Sequence, residues 1–196
     1  MSARATAGAS IEAVAIGGSA GAVQALLHIL PSLPPGYALP VLIVVHIPPD
    51  RGNALVPLFQ AKCRVVVKEA EDKEPALAGV VYFAPSDYHL LVEVDGTLSL
   101  SSDELVNHSR PSIDVLFESC ADAFGPALAG VILTGANHDG AQGLRAVIEA
   151  GGVGIVEDPI GAYAPTMPAA ALCTCPSART MKLEAIASWL SGLGTA

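Results

Sequence analysis

The fold class this sequence predicts is α/β: a mostly parallel, doubly wound sheet with helices on both faces and a small antiparallel β-hairpin at about residues 89–101. Three observations carry it. Short continuous apolar runs such as Val41-Leu42-Ile43-Val44-Val45 are the mark of parallel strands buried on both faces. These runs alternate with helical stripes, as where Val23, Leu26, Leu27 and Leu30 fall at i, i+3, i+4 and i+7. Between His89–Val94 and Thr97–Ser101 stands Asp95-Gly96, the strongest short hairpin signal.

In chain order, residues 1–10 are rich in Ala, Ser and Gly and read as a flexible tail. A strand is predicted over 12–16, followed by the helix of the first stripe, which Pro31 and Pro34-Pro35-Gly36 terminate. The 41–45 strand delivers His46 and stops at Ile47-Pro48-Pro49-Asp50. A helix near 53–62 leads to strands at 64–68 and 79–84, and then to the hairpin. Pro111 fits the first turn of a helix carrying Ile113, Leu116, Phe117 and Cys120. The strand 129–133 runs into Thr134-Gly135-Ala136-Asn137-His138-Asp139-Gly140. A helix with Leu144, Val147 and Ile148 follows, closed by Gly151-Gly152. A strand at 153–156, a long loop from Glu157 to Pro168, and helices near 168–174 and 179–192 complete the chain.

At 196 residues the chain suits one well-buried domain, expected to span 11–196. Hydrophobic residues make up 52%, enough for a sheet covered on both sides. The net charge of −9 leaves no basic footprint for nucleic acid and no polybasic segment for anionic membranes. No apolar run approaches the ~20 residues of a membrane span, and no signal-peptide pattern opens the chain. A cytoplasmic location is therefore expected. Cys63, Cys120, Cys173 and Cys175 form no C-x-x-C and are expected to be reduced packing residues.

Gly17, Ser19 and Gly21 match G-x-S-x-G, the pattern of a tight strand-to-helix turn that presents a serine hydroxyl above a sheet. A serine N-cap of the following helix explains the same residues. In a parallel sheet, ligands bind outside the carboxyl ends of the strands. Ser19, His46 and Asp139 fall at three such ends, with the roles of nucleophile, general base and orienting carboxylate. Asp139 also suits an N-cap, and His138 competes with His46 as base. The order Ser…His…Asp differs from the Ser…Asp…His of α/β-hydrolases. The five histidines show no H-x-x-H or H-E-x-x-H spacing, so no metal is expected. Nor does Gly18-Ser19-Ala20-Gly21 have the spacing or lysine of a phosphate-binding loop.

Ile16-Gly17-Gly18-Ser19-Ala20-Gly21, Val45-His46-Ile47-Pro48, Tyr82 through Leu90, Val106 through Asp114, Leu133 through Ala141, and Asp158 through Met167-Pro168 recur in that order. Together they resemble the catalytic domain of the CheB chemotaxis methylesterases, a bacterial signal-transduction family, from about residue 11 to the C-terminus. The resemblance implies a cytoplasmic, cofactor-free serine esterase. Its substrates would be glutamate methyl esters on the cytoplasmic helices of chemoreceptors, with methanol released and glutamine deamidation as a second activity. The motifs map the nucleophile to Ser19, the base to His46 and the acid to Asp139. Backbone N–H groups of Ala20 and Ala136 are the oxyanion candidates, and Arg110 and Met167 are candidates for substrate contact. The chain departs from the family in Ala20, where threonine is common, and in Ala136, where methionine is frequent. Residues 1–10 cannot hold the receiver domain that gates many members, so an excised catalytic domain or a single-domain member is expected. A serine hydrolase of this fold acting on another ester or amide, outside chemotaxis, is the alternative.

Overall fold

The computed structural model describes residues 10–46 and 54–193. The tail at 1–9 and the motif residues Ile47 and Pro48 lie outside them. Its strands are β1 (Ala13–Gly18), β2 (Val41–Val45), β3 (Val66–Glu69), β4 (Val80–Phe83), β5 (His89–Val92), β6 (Leu98–Ser101), β7 (Leu128–Ile132), β8 (Val153–Glu157) and β9 (Arg179–Met181). The helices are α1 (Ala22–Ile29), α2 (Leu55–Gln60), α3 (Ile113–Phe124), α4 (Ala141–Glu149), α5 (Thr166–Thr174) and α6 (Leu183–Leu193). Seven strands form one parallel sheet in the order β3-β4-β2-β1-β7-β8-β9, and β5-β6 pair separately and antiparallel.

The central strands are buried on both sides, yet a period of two still sorts their residues. Val14 and Ile16 of β1, Val41, Ile43 and Val45 of β2, and Val131 of β7 face the layer built with Leu26, Ile29, Ile186 and Leu190 of α1 and α6. Ala13, Ala15, Leu42, Val44 and Ile132 face the other layer, with Leu116 and Phe117 of α3 and Leu144 and Val147 of α4. The hairpin belongs to that second layer through Leu90, Val92 and Leu98. Gly17 permits the tightest approach, since a Cβ there would overlap the Ile113 side chain at the start of α3.

Three local expectations are corrected. The segment predicted as the start of the last helix is instead edge strand β9, because Arg179, Thr180 and Met181 pair with Ile155, Val156 and Glu157. Tertiary pairing thus overrides a helical pattern that begins only at Leu183. The hairpin strands end at Val92 and start again at Leu98, with Glu93 N–H donating to Thr97 C=O (2.8 Å). Asp95-Gly96 therefore sits in a three-residue loop with Gly96 at φ 83, the type I turn plus bulge rather than a two-residue turn. Pro111 precedes α3: Ser112 is extended at φ −105, ψ 140, and the helix begins at Ile113.

Candidate active site

The sheet order places β2, β1 and β7 side by side, and the chain moves from β1 to β2 in one direction and to β7 in the other. Their carboxyl ends thus form the switch-point crevice of a doubly wound sheet. Gly18 is in register with Val45, and His46 N–H donates to Gly18 C=O at 3.2 Å, so Ser19 and His46 leave adjacent strands together. On the other side Ser19 N–H donates to Thr134 C=O at 2.9 Å.

The turn after β1 is tight, and Ser19 does not cap the helix that follows. Ala22 N–H closes onto Ser19 C=O (2.9 Å), and Gly21 carries the left-handed conformation (φ 83, ψ −8) that the third position of a type II turn requires. Gly21, not Ser19, is the N-cap of α1, and no side chain caps that helix. The serine is thereby released from the capping role that competed for it. Among the described residues its hydroxyl has no hydrogen-bond partner.

Asp139 is fully buried (0% exposed) and is the hub of the site. It does not cap its own helix, whose N-cap is Gly140. Its Oδ2 accepts from His46 Nε2 (2.9 Å) and Ile113 N–H (2.6 Å). Its Oδ1 accepts from Asn107 Nδ2 (2.8 Å), Ser112 Oγ (2.8 Å) and Asp114 N–H (3.3 Å). The carboxylate thus caps the N-terminus of α3 across space, where free amides and the helix dipole favour negative charge. Burial pushes its pKa up, but the bonds from His46, Asn107, Ile113 and Ser112 outweigh that and hold it below the usual carboxylate range.

An ionised carboxylate only accepts, so Nε2 of His46 carries the proton and Nδ1 of the neutral ring is the acceptor. Nδ1 lies 3.2 Å from Asn137 Nδ2, whose Oδ1 takes the N–H of Asp139 at 3.1 Å. The competing His138 is exposed, and among the described residues its ring has no carboxylate partner, whereas that of His46 does. Behind Asp139, Asn107 Nδ2 also donates to Asp114 Oδ2 (2.7 Å), while Asp114 Oδ1 takes Gly143 N–H (2.6 Å). Burial raises the Asp114 pKa, the Asp139 charge adds to that, and these bonds offset only part of it.

The loops after β7 and β8 are tied to the serine turn through Thr134. Its hydroxyl donates to Ala20 C=O (2.9 Å) and accepts from Ala164 N–H (2.8 Å), and its own N–H donates to Glu157 Oε2 (2.8 Å). Burial holds the Glu157 carboxyl above its ordinary range, only partly countered by the Thr134 amide. Among the described residues, the N–H groups of Ala20 and Ala136 have no hydrogen-bond acceptor.

The two candidates for substrate contact, Met167 and Arg110, both have partners within the chain. Met167 is 1% exposed and packs against Gly135, to whose carbonyl it donates its N–H (2.9 Å). It braces the Gly135 loop. Arg110 binds Asp87 Oδ1 (2.6 Å from Nη2) and the carbonyls of Ser102 and Asp103 (2.8 Å each), so its guanidinium fastens the hairpin exit. Among the described residues no cluster of three or more His, Cys, Asp or Glu could hold a metal ion, and no described helix is long and apolar enough to cross a membrane.

Sequence reasoning missed Asn107, Ser112, Asp114, Thr134, Asn137 and Glu157. Only Asn137, two residues before Asp139, had a local signal, the asparagine that hydrogen-bonds its own backbone two residues on. The others act across loops.

The family model for CheB methylesterase matches residues 14–190. A protein of Leptospira interrogans serogroup Icterohaemorrhagiae, provisionally named protein-glutamate methylesterase/protein-glutamine glutaminase, is 46% identical over 90% of this chain and 91% of its own length. The Chromobacterium violaceum protein-glutamate methylesterase/protein-glutamine glutaminase 1 is 38% identical over 92% of this chain but only 51% of its own. The crystal structure of the Thermotoga maritima CheB methylesterase catalytic domain superposes with a TM-score of 0.89 at 31% identity, covering 94% of this chain and 100% of that one. On sequence and fold together, the chain belongs to the CheB methylesterase family.

Proposed function

We propose that this protein is a serine esterase that hydrolyses glutamate methyl esters on the cytoplasmic helices of methyl-accepting chemoreceptors, releasing methanol. The observation that carries the reading is the Asp139–His46 pair, an ionised, five-fold hydrogen-bonded carboxylate aligning a neutral imidazole beside Ser19. His46 Nδ1 takes the Ser19 proton as Oγ attacks the ester carbonyl. Asp139 stabilises the imidazolium that results. The oxyanion is received by the free N–H groups of Ala20 and Ala136, each donor of this kind being worth ~10²–10³ in rate. Methanol departs with the proton from His46. Water then attacks the glutamyl-enzyme, its proton passing through Nδ1 back to Ser19, and the glutamate carboxylate is freed. A glutamine side chain follows the same path with ammonia as leaving group, the second activity in the relatives' names.

Arg110 and Met167 serve this reaction by holding the hairpin exit and the Gly135 loop. The test is methanol release from a methylated receptor cytoplasmic fragment, with Ser19→Ala as control. The expected loss in the variant is ~10⁴–10⁶-fold in turnover, and release equal in the two proteins would refute the assignment.

A further inference from the structure

The imidazole of His46 has a partner on each nitrogen, and the esterase reaction accounts for only one of them. Asp139 takes Nε2. Nδ1, the nitrogen that must receive the Ser19 proton, already accepts from the side-chain amide of Asn137 at 3.2 Å. We propose that Asn137 is a positioning residue that caps the base nitrogen in the resting site and has to release it before Ser19 can be activated. The inference rests on the assignment of Ser19 and His46 as nucleophile and base.

The orientation of the amide is set by its other end. Asn137 Oδ1 accepts the N–H of Asp139 at 3.1 Å, which leaves the NH₂ group to face His46. Nδ1 of a neutral imidazole offers one lone pair, so the Asn137 N–H and the Ser19 hydroxyl compete for it. The hydroxyl is without a partner among the described residues, as that competition requires. Once Nδ1 is protonated, it and the amide are two donors facing each other, and the contact cannot survive proton transfer. An interaction made in the ground state and lost in the transition state slows the chemical step. The side chain also has room to move: Asn137 is half-buried, between exposed Ala136 and exposed His138. The charged group that faces the ring among the described residues is Asp139, on the opposite nitrogen, so the cap acts on Nδ1 without disturbing the carboxylate.

The rate of Ser19 labelling by a small fluorophosphonate, measured on the whole chain near neutral pH, tests this. Asn137→Ala removes the cap and labels faster than wild type, by about 2- to 10-fold, the net worth of one hydrogen bond. Asn137→Asp keeps the acceptor for the Asp139 N–H but sets a carboxylate against Nδ1. That favours the imidazolium, which cannot take a proton, so this variant labels more slowly than wild type. A purely structural Asn137 gives the reverse ranking, with aspartate near wild type and alanine the slower. An activity-independent readout is the ¹⁵N spectrum of His46: in Asn137→Ala the Nδ1 resonance moves toward that of an unbonded acceptor nitrogen while Nε2 stays protonated. Wild-type labelling at Ser19 that Asn137→Ala leaves unchanged or slows, or an Nδ1 resonance that does not move, overturns the cap alone. No labelling of Ser19 in any variant overturns the esterase assignment, and the cap with it.

Discussion

At the scale of single residues, two buried carboxylates in this site carry opposite signs. Asp139 is held below the usual carboxylate range by the groups bonded to it, so its contribution to stability is complete above the ordinary aspartate pKa of ~4 and lost as pH falls through the lower native value. Asp139→Asn turns one oxygen into a donor facing other donors. Turnover falls by ~10⁴ through the wrong histidine tautomer, and stability falls by about 1–3 kcal/mol for each donor left unpaired. Thermal melts show the deficit to wild type narrowing as pH drops from about 5 toward 2. Glu157 is the converse: burial raises its pKa, so its ionised form costs stability at neutral pH and the cost fades as pH falls through the raised value. Glu157→Gln keeps an acceptor for Thr134 N–H and melts higher than wild type at pH 7, an advantage that shrinks on acidification. A Gln variant that melts lower at neutral pH contradicts this assignment. Ser19, His46 and Asp139 could be singled out as candidates because each follows an apolar strand run, and strand ends converge in a parallel sheet. Their supports were not. The bonds of Asn107 to Asp139, Thr134 to Ala20 and Glu157 to Thr134 span 32, 114 and 23 residues, respectively, and no local pattern encodes such contacts.

At the scale of elements, the site is a junction where short connections must be geometrically exact, and α1 and α3 meet it differently. Helix α3 has its first amides satisfied from outside, by Asp139 on the loop before α4, which couples helix placement to the geometry of the His46–Asp139 pair. Helix α1 starts from a backbone turn whose Gly21 sits at φ 83. Gly21→Ala forces an L-residue into the left-handed region, costing about 1–2 kcal/mol, with a further adjustment of Tyr163, which lies against that position. Chemical denaturation gives the loss directly, and a variant as stable as wild type would show that another backbone conformation serves. The helical stripes and apolar runs made most elements readable. They failed at β9, whose three residues are a strand only because β8 presents an unpaired edge to them. They also failed at the hairpin turn, where the strands end early and the loop takes a third residue, although Asp95-Gly96 was correctly a turn.

At the scale of the whole molecule, seven parallel strands and a central switch point put the groups of the proposed reaction at the carboxyl ends of three neighbouring central strands. The predicted α/β class needed only the alternation of apolar runs and stripes. The chemistry needed the neighbour relations β2-β1-β7, which no strand states by itself. The net charge of −9 gives this surface no general attraction for nucleic acid, so selectivity rests on the site and what surrounds it. The measurement that bears most directly on the whole account is the methyl-ester content of a receptor cytoplasmic fragment followed by mass spectrometry alongside methanol in the same reaction. The account predicts one methanol for each ester lost with the wild-type chain, and neither change with Ser19→Ala or His46→Ala. Ester loss that persists in those variants, or a wild-type chain that leaves the esters intact while Ser19 is reactive, would contradict it.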